Sequence, residues 1–111
     1  MTHASILYGT AQTNTVVIAT AGNERFTLRR LEVMADNANT ADVGCGLGLG
    51  VSIMLQSFAG HPGIPAGSGF VEVYPEGIIE PDMGQQLLFS CETPTSGGIR
   101  VSVSYERHVF D

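Results

Sequence analysis

Apolar and polar residues alternate with period two along most of this chain, in short runs separated by turn-forming clusters. TVVIATA (residues 15–21) is a β-branched run that GNE stops. RFTLRRLEVMA (25–35) alternates through Phe26 and Leu28, loses phase at Arg29-Arg30 and resumes at Leu31 and Val33, which predicts a β-bulge. The polar loop DNANTAD (36–42) leads into VGCGLGLGVSI (43–53). After MLQSF comes a Gly/Pro segment, AGHPGIPAGSG (59–69), and then a strand, FVEVYPEGI (70–78), that Pro75 is expected to end. A turn at EPDMG (80–84), the run QQLLFSCET and a second turn at PTSGG precede IRVSVSYER. In that last run Ile99, Val101, Val103 and Tyr105 share one face. Repeated short strands without a helical period predict an all-β fold, an antiparallel β-sandwich of seven or eight strands, with jelly-roll and Ig-like connections both open.

The glycines of residues 43–53 pose a question of their own. A dinucleotide loop spaces its glycines G-x-G-x-x-G between a strand and a helix, whereas Gly44, Gly46, Gly48 and Gly50 recur at every second position. That spacing puts Val43, Cys45, Leu47, Leu49, Val51 and Ile53 on one face of a strand, and the glycines with Ser52 on the other. A bare face weakens a strand unless a second sheet, a crossing segment or a neighbouring subunit approaches it closely. Valine at position 48 is therefore expected to damage packing.

Residues 1–13 are small and polar around one apolar piece, SILY, and read as an N-terminal arm or edge strand; residues 14–111 read as a single sandwich domain. Ile6, Leu7 and Tyr8 of the arm, and His61, Pro62, Ile64 and Pro65 of the Gly/Pro segment, have no strand partner in this reading. They are the candidate interface residues, because an extended arm adds readily to a neighbour's sheet and a proline-braced loop loses little entropy on docking. Removing residues 1–13 is accordingly expected to leave the sandwich folded and to abolish assembly.

Five arginines, no lysine and eleven acidic residues give a net charge of −6, which argues against a nucleic-acid partner. Neither a secretory signal pattern nor a long apolar run occurs, so the product is expected to be soluble, without a membrane partner, and made in the cytoplasm. Cys45 and Cys91 fall in phase with apolar faces and are expected to be buried, reduced thiols rather than a disulfide.

No grouping of residues points to catalysis. His3, His61 and His108 are dispersed and lack metal-ligand spacing. Ser68 in AGSGF does not satisfy the G-x-S-x-G elbow. Asp36, Asn37, Asn39, Thr40 and Asp42 lack the closing glutamate of a calcium loop and read as a polar turn. Glu72, Glu76 and Glu80 are scattered over strand edges and turns. The expectation is a protein with no catalytic residues, no metal and no cofactor, which acts by packing against other proteins.

The order of segments resembles the small single-domain β-sandwich virion proteins of tailed bacteriophages. The likeness lies in the polar arm, the strand pair TVVIATAGNERFTLRRLEV hinged on a Gly-Asn turn, the glycine-rich middle strands, the Gly/Pro loop before a short strand, and the closing G-x-I-R-V-S-V-S-Y-E strand. It implies a decoration or cement protein on the capsid exterior. Such a protein binds a lattice of the major capsid protein or other virion proteins as a homo-oligomer, often a trimer, and stabilises the assembled shell. A small head–tail connector or tail subunit is the alternative within the same resemblance. A carbohydrate-binding β-sandwich competes with both, handicapped by the lack of Trp and by having only Tyr8, Tyr74 and Tyr105 as phenols.

Overall fold

The computed structural model describes residues 1–79 and 83–110. The regular elements among them are eight strands: β1 (Thr2–Tyr8), β2 (Gln12–Ile18), β3 (Glu24–Ala35), β4 (Val43–Gly50), β5 (Met54–Ile64), β6 (Gly69–Ile79), β7 (Gln86–Cys91) and β8 (Ile99–Val109). They form two four-stranded antiparallel sheets, ordered β1-β8-β3-β6 and β2-β7-β4-β5. Four of the pairings are nested, β4 with β5, β3 with β6, β2 with β7 and β1 with β8. The chain is thus one long double ribbon, rolled so that β8 also meets β3 and β7 also meets β4. This is the jelly-roll connection, which decides between the two sandwiches that the strand pattern alone allowed.

Because every pairing is antiparallel, the connections gather at the two ends of a body 48 × 26 × 18 Å in extent. Residues 9–11, 36–42, 65–68 and 92–98 lie at one end. Residues 19–23, 51–53 and 83–85 lie at the other, with the start of β1 and the finish of β8. Residues 80–82, within the turn expected at EPDMG, are outside the described residues, and so is Glu80 as a candidate carboxylate.

The core lies between the sheets. Phe26, Leu28, Leu31 and Val33 of β3 and Ile99 and Val101 of β8 face Leu47 of β4 and Leu87 and Phe89 of β7, all fully buried. Each such side chain contributes roughly 1.5–3 kcal/mol when removed from water. The phase break in β3 is a bulge: its register with both β6 and β8 shifts between Leu28 and Arg30. Were the strand regular there, strict alternation would have turned Leu31 and Val33 out to solvent.

Of the arm and the edge strand that the N-terminal residues allowed, the structure takes the edge strand: Thr2–Tyr8 pairs with β8 along its whole length, from Thr2 opposite Tyr105 to Tyr8 opposite Ile99. Three expectations are corrected. The Gly/Pro segment is strand as far as Ile64, which sits opposite Val43 and is 2% exposed; the loop begins only at Pro65. Pro75 does not end its strand, because β6 is the sheet's edge and proline's missing N–H costs nothing where no neighbour waits for it. Val51 and Ile53 do not continue the core face of β4, which stops at Gly50.

Three of the four glycines of β4 are crowded from within the chain, and Gly46 is open. A Cβ at Gly48 would overlap the Gln56 carbonyl and the Met54 side chain, and one at Gly44 would come within 2.6 Å of the Pro62 carbonyl oxygen. The close approach comes from the hairpin partner β5, the next strand of the same sheet, which crowds Gly44 and Gly48 through repeated register shifts.

Candidate interaction surface

The two loop ends differ in chemistry. Asn39, only 5% exposed, organises the end built from residues 9–11, 36–42, 65–68 and 92–98. Its Oδ1 accepts from the backbone N–H groups of Ser96, Gly97 and Gly98 at 3.3, 2.9 and 3.2 Å, and its Nδ2 donates to the Gly98 carbonyl at 2.9 Å. Thr40 N donates to Thr95 Oγ1 at 2.6 Å, and Gly67 N donates to the Ala35 carbonyl at 3.0 Å. Within the loop DNANTAD, Asn39 and Asp36 spend side-chain oxygens on backbone N–H groups, Asp36 Oδ1 accepting from Ala38 N at 2.8 Å.

The opposite end presents apolar side chains. The β4–β5 connection is so tight that a Cβ at Gly50 would collide with the Ile53 carbonyl and lie 3.1 Å from Leu88 Cδ1. The turn throws Val51, Ile53 and Leu55 outward, at 61%, 59% and 62% exposure. Val109 and Phe110 project at the finish of β8, and Met83 at the β6–β7 connection, all three exposed. Phe110 is held there by its backbone N–H on the Asn23 carbonyl at 2.8 Å, with the Arg25 guanidinium 5.6 Å from its ring. One ion pair lies at this end: Glu24 Oε1 accepts from Ala21 N at 2.6 Å and lies 3.3 Å from Arg107 Nη1, which also donates to the Ala19 carbonyl.

The residues singled out from sequence lie elsewhere. Ile6 and Tyr8 are half-buried on the core side of β1, Tyr8 stacking on Phe89 at 5.2 Å, while Leu7 is half-exposed on the outer face. Burial raises the Tyr8 phenol above its ordinary range. His61, Pro62 and Pro65 are exposed and Ile64 is buried. Both groups reach the polar end, but β1 and β5 are edges on opposite sides of the sandwich, so the fold does not bring them together. The apolar end escaped notice because Val51 and Ile53 continue the alternation of β4 in sequence. The readable signal was the apolar triplet Ile53-Met54-Leu55, which breaks period two just after a glycine.

The histidines and carboxylates serve the sheets. His3 Nδ1 bonds Ser104 Oγ at 2.7 Å, His108 Nε2 bonds Thr27 Oγ1 at 2.9 Å, and His61 Nδ1 accepts from Gly63 N at 3.2 Å. The Tyr74 hydroxyl donates to the Glu72 carboxylate; burial, and then that partner, push the phenol well above its usual range. No group of three or more His, Cys, Asp or Glu among the described residues is placed to hold a metal ion. A shallow depression of about 580 Å³ lies over β4 and β5, lined by residues such as Cys45, Phe58, His61 and Glu92. Its carboxylate, Glu92, is occupied by the backbone N–H of Gly44 at 2.9 Å.

No family model matches the sequence, and no curated protein matches it. Among solved structures, a chain in the structure of infectious bursal disease virus Gt strain superposes with a TM-score of 0.39 at 11% sequence identity. The alignment covers 96% of this chain and 29% of that one, so this chain spans less than a third of its length.

Proposed function

We propose that this protein is a structural subunit of a virion, of the kind that tailed bacteriophages place on the capsid exterior to bind and stabilise the assembled shell. The observation that carries this reading is the gathering of exposed large apolar side chains at one end of a sandwich whose other end is polar and internally bonded. Water penalises such an end, and a partner surface that removes Val51, Ile53, Leu55 and Phe110 from it gains roughly 25 cal/mol per Å² covered, before the costs of association. The polar end then faces outward. A major capsid protein or another virion protein is the partner, and a homo-oligomer, with a trimer as the form implied by the resemblance, is the bound state. A head–tail connector or tail subunit would use the same surface at a different place.

The sugar-binding alternative finds less support, because all three tyrosines are committed to packing. Tyr8 stacks on Phe89, Tyr74 meets Phe58 edge-on at 6.3 Å between ring centroids, and Tyr105 is 8% exposed.

The test is co-sedimentation of the purified protein with assembled shells of the encoding phage, beside the folded double variant Ile53→Asp/Leu55→Asp. Wild type should pellet with shells and not with free capsid subunits, and the variant should stay in the supernatant. A wild type that binds no shell, or a variant that binds as well as wild type, rejects the proposal.

A further inference from the structure

We propose that Cys45 and Cys91 form an intramolecular disulfide site, closed across β4 and β7 when the folded protein meets a small-molecule disulfide such as oxidised glutathione. The two residues are direct cross-strand partners. The neighbouring opposed residues, Gly44 and Glu92, are joined by the Glu92 N–H on the Gly44 carbonyl at 2.9 Å, which marks theirs as a hydrogen-bonded pair. Such pairs alternate with non-hydrogen-bonded ones along an antiparallel ladder, so Cys45 and Cys91 occupy the closer kind, with Cα atoms about 4.5 Å apart. A disulfide needs a Cα separation of about 4.4–6.8 Å, so the ladder already supplies the geometry. Opposed residues share a face, here the core side near the polar end.

The two thiols differ in access, which orders the chemistry. Cys91 is 8% exposed, with its Sγ directed at the Thr10 carbonyl at 3.8 Å. Cys45 is half-buried and so is the more accessible of the two thiols, the one that meets glutathione first. The Cys45 thiolate attacks one sulfur of the glutathione disulfide, whose S–S bond breaks to release the first glutathione thiolate. The Cys91 thiolate then attacks Cys45 Sγ and displaces the second. The protein is oxidised by two electrons, the glutathione disulfide is reduced to two thiols, and these take up the two cysteine protons. Burial pushes the Cys45 thiol up to about 11, so the attacking thiolate is scarce at neutral pH and closure accelerates with alkalinity.

This inference does not depend on the virion reading, since the experiment uses the isolated chain. Reduced, folded protein is incubated with oxidised glutathione at mildly alkaline pH, quenched in acid and weighed by mass spectrometry. The expected product has lost two hydrogens and carries no glutathione. Cleavage at Glu72 and Glu76, which lie between the cysteines, should leave their two peptides joined until reduction. The melting temperature should rise by about 10 °C, because the bridge closes a long loop of the unfolded chain. Cys91→Ser should stop at a glutathione adduct on Cys45. Wild type that halts at that adduct, links between molecules, or keeps both thiols under conditions that oxidise the denatured chain would overturn the proposal.

Discussion

Replacing Asn39 with alanine removes one side chain and leaves three backbone N–H groups without their acceptor. Those of Ser96 and Gly97 are only partly buried, so water takes over much of the work. That of Gly98 is buried, and an orphaned buried donor costs about 1–3 kcal/mol. The Gly98 carbonyl keeps a partner in the Asp36 N–H at 3.0 Å and adds little to the loss. With roughly half a kcal/mol from each hydrated amide, the total is about 3 kcal/mol, a large part of the 5–15 kcal/mol of a typical domain. Urea unfolding followed by circular dichroism should show the midpoint falling by about 2 M for an m-value near 1.5 kcal/mol/M. Asn39→Asp keeps the acceptor but sets a charged carboxylate oxygen against the Gly98 carbonyl where Nδ2 donated, so it should destabilise as well, and less at acidic pH where the carboxyl can donate again. An alanine variant within about 0.5 kcal/mol of wild type would refute the reasoning.

Gly48→Val should cost more than about 3 kcal/mol, because its branched side chain must displace the Gln56 carbonyl. Gly46→Ala on the same strand, where the nearest atom is the Ala59 carbonyl oxygen at 3.8 Å, should stay within about 1 kcal/mol; thermal melts of the pair make the comparison. Deleting residues 1–8 should abolish cooperative unfolding, read by near-ultraviolet circular dichroism, because it strips the edge from β8 and the Tyr8 ring from Phe89. Stability should also fall in alkali. The folded-state pKa values of Cys45, Cys91, Tyr8 and Tyr74 all lie above their ordinary values, so the unfolded chain loses these protons first as pH rises. The loss begins near the ordinary thiol value of 9.0 and steepens above the phenol value of 10.0, and Tyr74→Phe should flatten the upper part of a denaturation-against-pH series.

The bulge in β3 could be read from sequence because both halves of the strand carry a clear apolar phase, and only an extra residue reconciles them. The core positions of β7 and β8 were legible for the same reason. Other features depend on which strands lie next to one another, and composition does not carry that. Pro75 is harmless only because β6 is an edge, and His61 and Pro62 belong to a strand only because β4 accepts β5 in a shifted register. The facing of Cys45 and Cys91 is likewise a property of register, since 45 residues separate them in sequence. The apolar end was hidden by a turn that begins in phase with the strand before it. Its outermost residues, Val109 and Phe110, carried no signal until the topology brought the finish of β8 to the same end as the β4–β5 turn.

The nested pairing also sets an order of folding. Only β4 and β5 are close in sequence, and bringing together the partners of any outer pair first would close a long loop at a high entropic cost. Once that hairpin forms, it shortens the gap between β3 and β6, and each pair that closes does the same for the next one out. β1 and β8 come together last, once β8 has been made. Until then β3 lacks its neighbour β8, and the apolar side chains of β3 lack half their cover. A chain interrupted before β8 therefore yields no smaller stable sandwich, only an open sheet with a sticky edge. High contact order of this kind makes slow, all-or-none folding the expected behaviour.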